Sequence, residues 1–102
     1  MDFEWNERKN QLNIEKHGIS FDTAEKIFEG PVLTWIDNRK DYGEIREISL
    51  GKVEGQVLLT IAHTDRNECV RIISARVASQ KERRTFENAE RKKALRIKKD
   101  DG

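Results

Sequence analysis

The sequence is poor in the residues that staple or stiffen small proteins: it has one cysteine, one proline and six glycines among 102 residues. Cys69 has no second cysteine to pair with, and His17 and His63, the only histidines, do not complete a zinc-ligand set with it. A disulfide scaffold and a structural zinc module are therefore not expected. Aromatic residues make up only 7% of the chain, so Phe3, Trp5, Phe21 and Trp35 are expected in the core rather than exposed for stacking on bases. No apolar run approaches the roughly 18 residues of a membrane span. The opening Met1-Asp2-Phe3-Glu4-Trp5 lacks the basic-then-apolar layout of a signal peptide, so a cytoplasmic location without membrane contact is expected. There is no glycine-rich phosphate loop, no nucleophile elbow and no outstanding carboxylate pair. Nothing points to a nucleotide-hydrolysing or metal-dependent enzyme, and no cofactor is expected.

Leu, Ile, Val and Phe total 25 of 102 residues, above the roughly 20% below which chains tend to stay disordered. This length fits one small domain with a modest core. Charged residues reach 38% with a net charge of only +1, but the balance hides an asymmetry. Residues 1–70 carry nine basic and fourteen acidic side chains, whereas residues 71–99 carry eleven basic and three acidic, a local +8. A basic final third suits a polyanion or an acidic partner; a solvated charged helix is the plainer account.

Asn6 to His17 reads as a helix capped by Asn6, with Lys16 and His17 at its negative end and Gly18 as a left-handed stop. Ser20 caps a second helix expected to reach Glu29, with Ile19 set to staple onto Ala24, before Gly30-Pro31 ends it. Strands are expected over Val32 to Ile36, Ile45 to Val53, Gln56 to Thr64 and Cys69 to Ala78, with a turn at Asp65-Arg66-Asn67. Ser79-Gln80-Lys81-Glu82 has capping-box spacing and opens a last helix. The resulting fold class is α+β, a mostly antiparallel sheet with N-terminal helices and a C-terminal helix. Residues 1–90 form the domain, and residues 91–102 a charged C-terminal extension that is frayed or reserved for a partner.

Arg71 and Arg76 are five apart, so a regular strand would send them to opposite faces. Arg76 precedes the capped helix, where backbone donors favour a phosphate; alternatively it pairs with Glu82 and ties strand to helix. His17 beside Lys16 offers a proton-transfer group near neutrality, against a purely dipolar role. His63, alone in a strand, and Cys69 read as structural.

Several stretches together resemble one family. Phe3-Glu4-Trp5-Asn6, the run Asn13-Ile14-Glu15-Lys16-His17-Gly18-Ile19-Ser20-Phe21, and Arg71-Ile72-Ile73-Ser74-Ala75-Arg76-Val77-Ala78 followed by Glu82-Arg83 are similar to BrnT toxins of bacterial type II toxin-antitoxin systems. The resemblance implies a small RelE-like fold and a metal-independent endoribonuclease neutralised by a BrnA-type ribbon-helix-helix antitoxin, in a heterotetramer or larger assembly that meets DNA only through the antitoxin. It carries catalytic roles to Lys16, His17, Arg76 and Glu82, and RNA phosphate binding to Arg71 and Arg83. The family often has a tyrosine in the final helix where this chain has Phe86. The implied chemistry is attack of the RNA 2′-hydroxyl on its own phosphate, with His17 or Glu82 moving the proton and Arg76 gripping the phosphate. The competing function is a non-catalytic RNA- or DNA-binding module built on the basic third.

Overall fold

The chain opens with strand β1 (Asp2–Glu4) and helix α1 (Glu7–His17). The Asn6 side chain accepts from the Lys9 N–H, and Gly18 ends the helix at φ 71°, a left-handed conformation that glycine adopts without strain. Helix α2 (Phe21–Ala24) is shorter than the helix expected to reach Glu29 because the chain tightens into a 3₁₀ segment over Glu25–Glu29. Three residues per turn place Ala24 above Ile27, and both are fully buried. Strands β2 (Pro31–Ile36), β3 (Glu47–Val53), β4 (Val57–Arg66) and β5 (Cys69–Val77) follow, then α3 (Gln80–Arg91) and β6 (Arg96–Ile97). The computed structural model describes residues 1–98.

The six strands form one sheet in the order β1-β5-β4-β3-β2-β6, with β1 parallel to β5 and every other pairing antiparallel. The β4–β5 turn lies at Asn67-Glu68, later than expected. Both residues have positive φ, as a two-residue type I′ hairpin requires, and asparagine tolerates that region well. The β4–β5 ladder slips between Ala62 and His63: Ala62 faces Ser74 and His63 faces Ile72, leaving Ile73 unpaired as a bulge. One extra residue reverses the alternation. Arg71 therefore points to the same face as Arg76, correcting the expectation of opposite faces.

Two apolar layers flank the sheet. On one face Phe21, Ala24, Ile27 and Phe28 pack on Ile61, Val70, Ile72 and Ala75, with Phe3 and Trp5 against them. Gly51 lies under this layer, where a β-carbon would sit 2.8 Å from Ile27 Cβ. On the other face α3 lays Phe86 on Leu50 and Leu58, with Leu33, Ala78 and Leu95 around it. Ser79 and Glu82 form the expected capping box. Beyond α3, where the sequence suggests a charged extension frayed or reserved for a partner, the chain turns and adds β6 beside β2; residues 99–102 of that extension lie outside the described residues. Helix α3 covers only part of its face, and the remainder carries the candidate site.

Candidate active site

Arg76 and Thr60 are cross-strand partners on the face that α3 leaves partly open. The capping box brings Glu82 over them. Arg76 donates to both Glu82 carboxylate oxygens at 2.8 and 2.9 Å, and the Ser79 N–H and Thr60 hydroxyl donate to Oε1 at 2.8 and 3.0 Å. The tie between strand and helix is thus the observed arrangement: the helix supplies its own carboxylate to the arginine. These donors hold the Glu82 pKa down at about 2, Arg76 contributing most, and the same bond raises the arginine's. Glu82 is ionised at any physiological pH.

A cavity of about 440 Å³ opens here, lined by Trp35, Asp37, Arg39, Ile48, Arg76 and Glu82 among others. Asp37 is nearly buried and receives the Arg39 side chain through Nε and Nη2, both at 2.8 Å, together with the Tyr42 hydroxyl at 3.1 Å. Its carboxyl is held well below the usual range, chiefly by Arg39. The positive charge of Arg39 reaches Arg76 and opposes its protonation, so two guanidinium groups share one cavity. An arginine has five N–H donors. Each carboxylate occupies only part of a fork, and Arg39 is 74% exposed, so donors remain for an anion.

The other expected site residues are more dispersed. Arg71 shares the Arg76 face, about 13 Å further along the strand, and pairs with Glu4 at 3.2 Å. Arg83 follows Glu82 in the first turn of α3 and is half-buried. Lys16 and His17 occupy the last turn of α1, whose Asn13 bonds the free edge of β5 through Ala75. Neither lines the Arg76 cavity. Sequence reasoning missed Asp37, Arg39 and Thr60, which lie outside every motif it weighed, and expected Trp35 in the core, whereas that residue is 39% exposed and lines the cavity. Phe3, Trp5 and Phe21 do belong to the first apolar layer.

His63 is sealed on the opposite face, edge-on to Phe28. Thr34 Oγ1 lies 2.7 Å from Ser49 Oγ, which lies 2.8 Å from His63 Nε2, and Nδ1 lies 3.2 Å from Asp65. This is the order of a hydroxyl-imidazole-carboxylate triad, but Ser49 and His63 are wholly buried, so no substrate meets it. Glu47, His63 and Asp65 also bring potential metal-ligating atoms within 4.8 Å of one another. The Lys98 ammonium stands 2.6 Å from Asp65 and 3.9 Å from Glu47, supplying the positive charge there. Burial lowers the His63 pKa, with Asp65 and Glu47 opposing. A depressed histidine stabilises the fold above its unfolded pKa of about 6.5 and loses that contribution as the unfolded chain binds the proton first. Unfolding free energies from urea titrations should fall between pH 7 and 5, by at most about 1.4 kcal/mol per pH unit from this group, and His63→Gln should flatten the slope. An equal slope in the variant would remove His63 from the account. Burial likewise raises the Cys69 pKa, with Glu4 adding to it, which keeps the thiol from acting as a ready nucleophile.

The family described as ribonuclease toxin, BrnT, of type II toxin-antitoxin system matches residues 5–82. The chain belongs to the BrnT ribonuclease toxin family. Among solved structures, the Brucella abortus ribonuclease toxin BrnT superposes with a TM-score of 0.60 at 28% identity, over 78% of this chain and 99% of that one. No curated protein sequence matches. The BrnT match includes Arg71, Arg76 and Glu82 and stops at Glu82, so Arg83 and Phe86 lie beyond it. Phe86 is 2% exposed in the α3 core; in this BrnT family member that position supports packing and offers no phenol. BrnT membership implies an RNA substrate and an antitoxin partner. Among the described residues no helix is long and apolar enough to cross a membrane.

Proposed function

We propose that this toxin is a metal-independent endoribonuclease that cleaves RNA by attack of a 2′-hydroxyl on the adjacent phosphorus. A bond forms from the 2′-oxygen to phosphorus while the bond to the 5′-oxygen breaks, giving a cyclic phosphate and a 5′-hydroxyl. One proton leaves the attacking oxygen and one reaches the leaving oxygen. The observation that carries the reading is the Arg76–Glu82 fork beside Arg39 in an open cavity. An incoming phosphate competes with Glu82 for Arg76. As the guanidinium turns to the phosphate, Glu82 is freed to accept the 2′-hydroxyl proton, and its pKa rises towards that of a useful base. Arg76 and Arg39 then face the developing negative charge on the phosphoryl oxygens. Arg71 and Arg83 grip flanking phosphates. Lys16 and His17, which do not line the cavity, contact RNA that leaves it, and water supplies the proton for the 5′-oxygen.

The same reading makes the neutralising partner a BrnA-type ribbon-helix-helix antitoxin, bound in a heterotetramer or larger complex in the cytoplasm, with DNA contacted through the antitoxin. Purified protein should degrade RNA in the presence of EDTA and leave cyclic-phosphate ends, read by gel and mass spectrometry. RNA that is bound but left intact under those conditions would replace the enzyme with a non-catalytic binding module.

A further inference from the structure

We propose that Trp35 is the platform on which the nucleobase beside the cleaved phosphate stacks, a substrate-positioning role that rests on the ribonuclease reading above. Trp35 is set on β2 opposite Ile48 of β3, both on the face that carries Arg76. The other large rings of the molecule are spoken for: Phe21 and Phe86 are buried, Phe3 meets Phe28, Trp5 meets Phe21 edge-on, and Tyr42 has Arg46 over its face at 3.9 Å. Among the described residues Trp35 makes no ring contact of this kind, and 39% of it faces solvent.

Its surroundings name the ligand. The indole and Glu82 form a shared wall between two cavities, the one of about 440 Å³ with Arg39 and Arg76 and a second of about 420 Å³ bordered by Ser79, Lys81 and Thr85. Each of the two cavities that the exposed indole lines therefore also carries cationic groups, Arg39 and Arg76 in one and Lys81 in the other. A single strand of nucleic acid has the matching pattern, a flat base between two phosphates, and base-on-aromatic stacking with cationic backbone contacts is the general physics of single-strand binding. An apolar protein helix would instead leave Lys81 and the unused donors of Arg39 and Arg76 facing hydrocarbon. Stacking accepts any base, so Trp35 sets affinity and register, while cleavage remains with the arginines and Glu82.

The test uses the full chain with Trp5→Phe, leaving Trp35 as the sole tryptophan, and a 2′-O-methyl oligonucleotide that cannot supply the attacking hydroxyl. Titration should quench Trp35 emission. Trp35→Ala and Trp35→Thr, the latter keeping strand propensity, should raise KM for RNA cleavage at least fivefold with a smaller change in kcat, and Trp35→Phe should restore most of it. Placing an abasic residue in the oligonucleotide should cost affinity in the tryptophan protein and little in Trp35→Ala. Cleavage with unchanged KM in Trp35→Ala, or emission that responds to the antitoxin but not to the oligonucleotide, would overturn the stacking role and leave the ribonuclease standing. A parent protein that neither binds nor cuts RNA would remove both.

Discussion

Replacing Arg76 with alanine should lower kcat/KM for RNA cleavage about 10²- to 10³-fold, the range seen when a donor aimed at developing negative charge is removed. Arg76 is the cavity group that both reaches outward and is oriented from behind, by a carboxylate itself fixed through the Ser79 N–H and the Thr60 hydroxyl. The stability cost should be small, about 1 kcal/mol, because the guanidinium is 43% exposed and solvent screens its pairing. Glu82 keeps two of its donors when Arg76 is gone. Melting should shift by only a few degrees, and a collapsed Arg76→Ala protein would instead make the arginine a structural tie. Glu82→Gln should lose activity comparably and erase the acid limb of the pH profile. His17→Ala, outside the cavity, should lose less than either. In the wild type, the Glu82 pairing stabilises the fold above the usual carboxylate pKa of about 4.5 and is lost as pH falls from there towards about 2.

Local chemistry made most of the fold legible. Asn6, Gly18, Ser20 and the Ser79–Glu82 box each act within a few residues of themselves, and each ends or begins an element where its spacing indicates. What escaped depends on pairing between distant segments. The bulge at Ile73 exists because β4 and β5 slip by one residue between two well-packed stretches, and no pattern within Arg71 to Arg76 announces it. That slip decides whether Arg71 shares a face with Arg76. The ion pair of Asp37 with Arg39 is local in sequence but lies in a polar loop, where charged residues are ordinary; only the fold turns it towards Arg76. Trp35 misled for a related reason. Scarcity of aromatics argues for burial, but α3 covers Leu33 and Leu50 and stops short of the next position on β2. The charge asymmetry points to the final third of the chain without separating Arg76 from its basic neighbours.

Asn13→Leu should be the most destabilising single change in the first layer, costing about 3–5 kcal/mol, a large part of the 5–15 kcal/mol typical of a small domain. Strand β1 pairs with β5 over three residues only, Cys69 to Arg71, so the backbone of β5 beyond it faces a helix instead of a strand. Asn13 substitutes for that missing strand. Its Nδ2 donates to the carbonyls of Ala75 and Ile19 at 2.8 and 2.9 Å, and its Oδ1 accepts the Ala75 N–H at 3.1 Å. The side chain is 7% exposed, so leucine would leave three backbone groups without partners where water cannot readily replace them. Aspartate is the sharper probe, since it retains the acceptor for the Ala75 N–H but aims a carboxylate at two carbonyl oxygens. Asn13→Asp should therefore also be strongly destabilised at neutral pH, with urea midpoints that fall well below those of Asn13→Gln or the wild type. A loss under about 1 kcal/mol for both Leu and Asp would mean that α1 is held by apolar packing alone. Because Ala75 directly precedes Arg76, the same bonds fix the stretch of β5 that presents the guanidinium. A surviving Asn13→Leu protein should then lose RNA cleavage as well, although Asn13 lies outside the cavity.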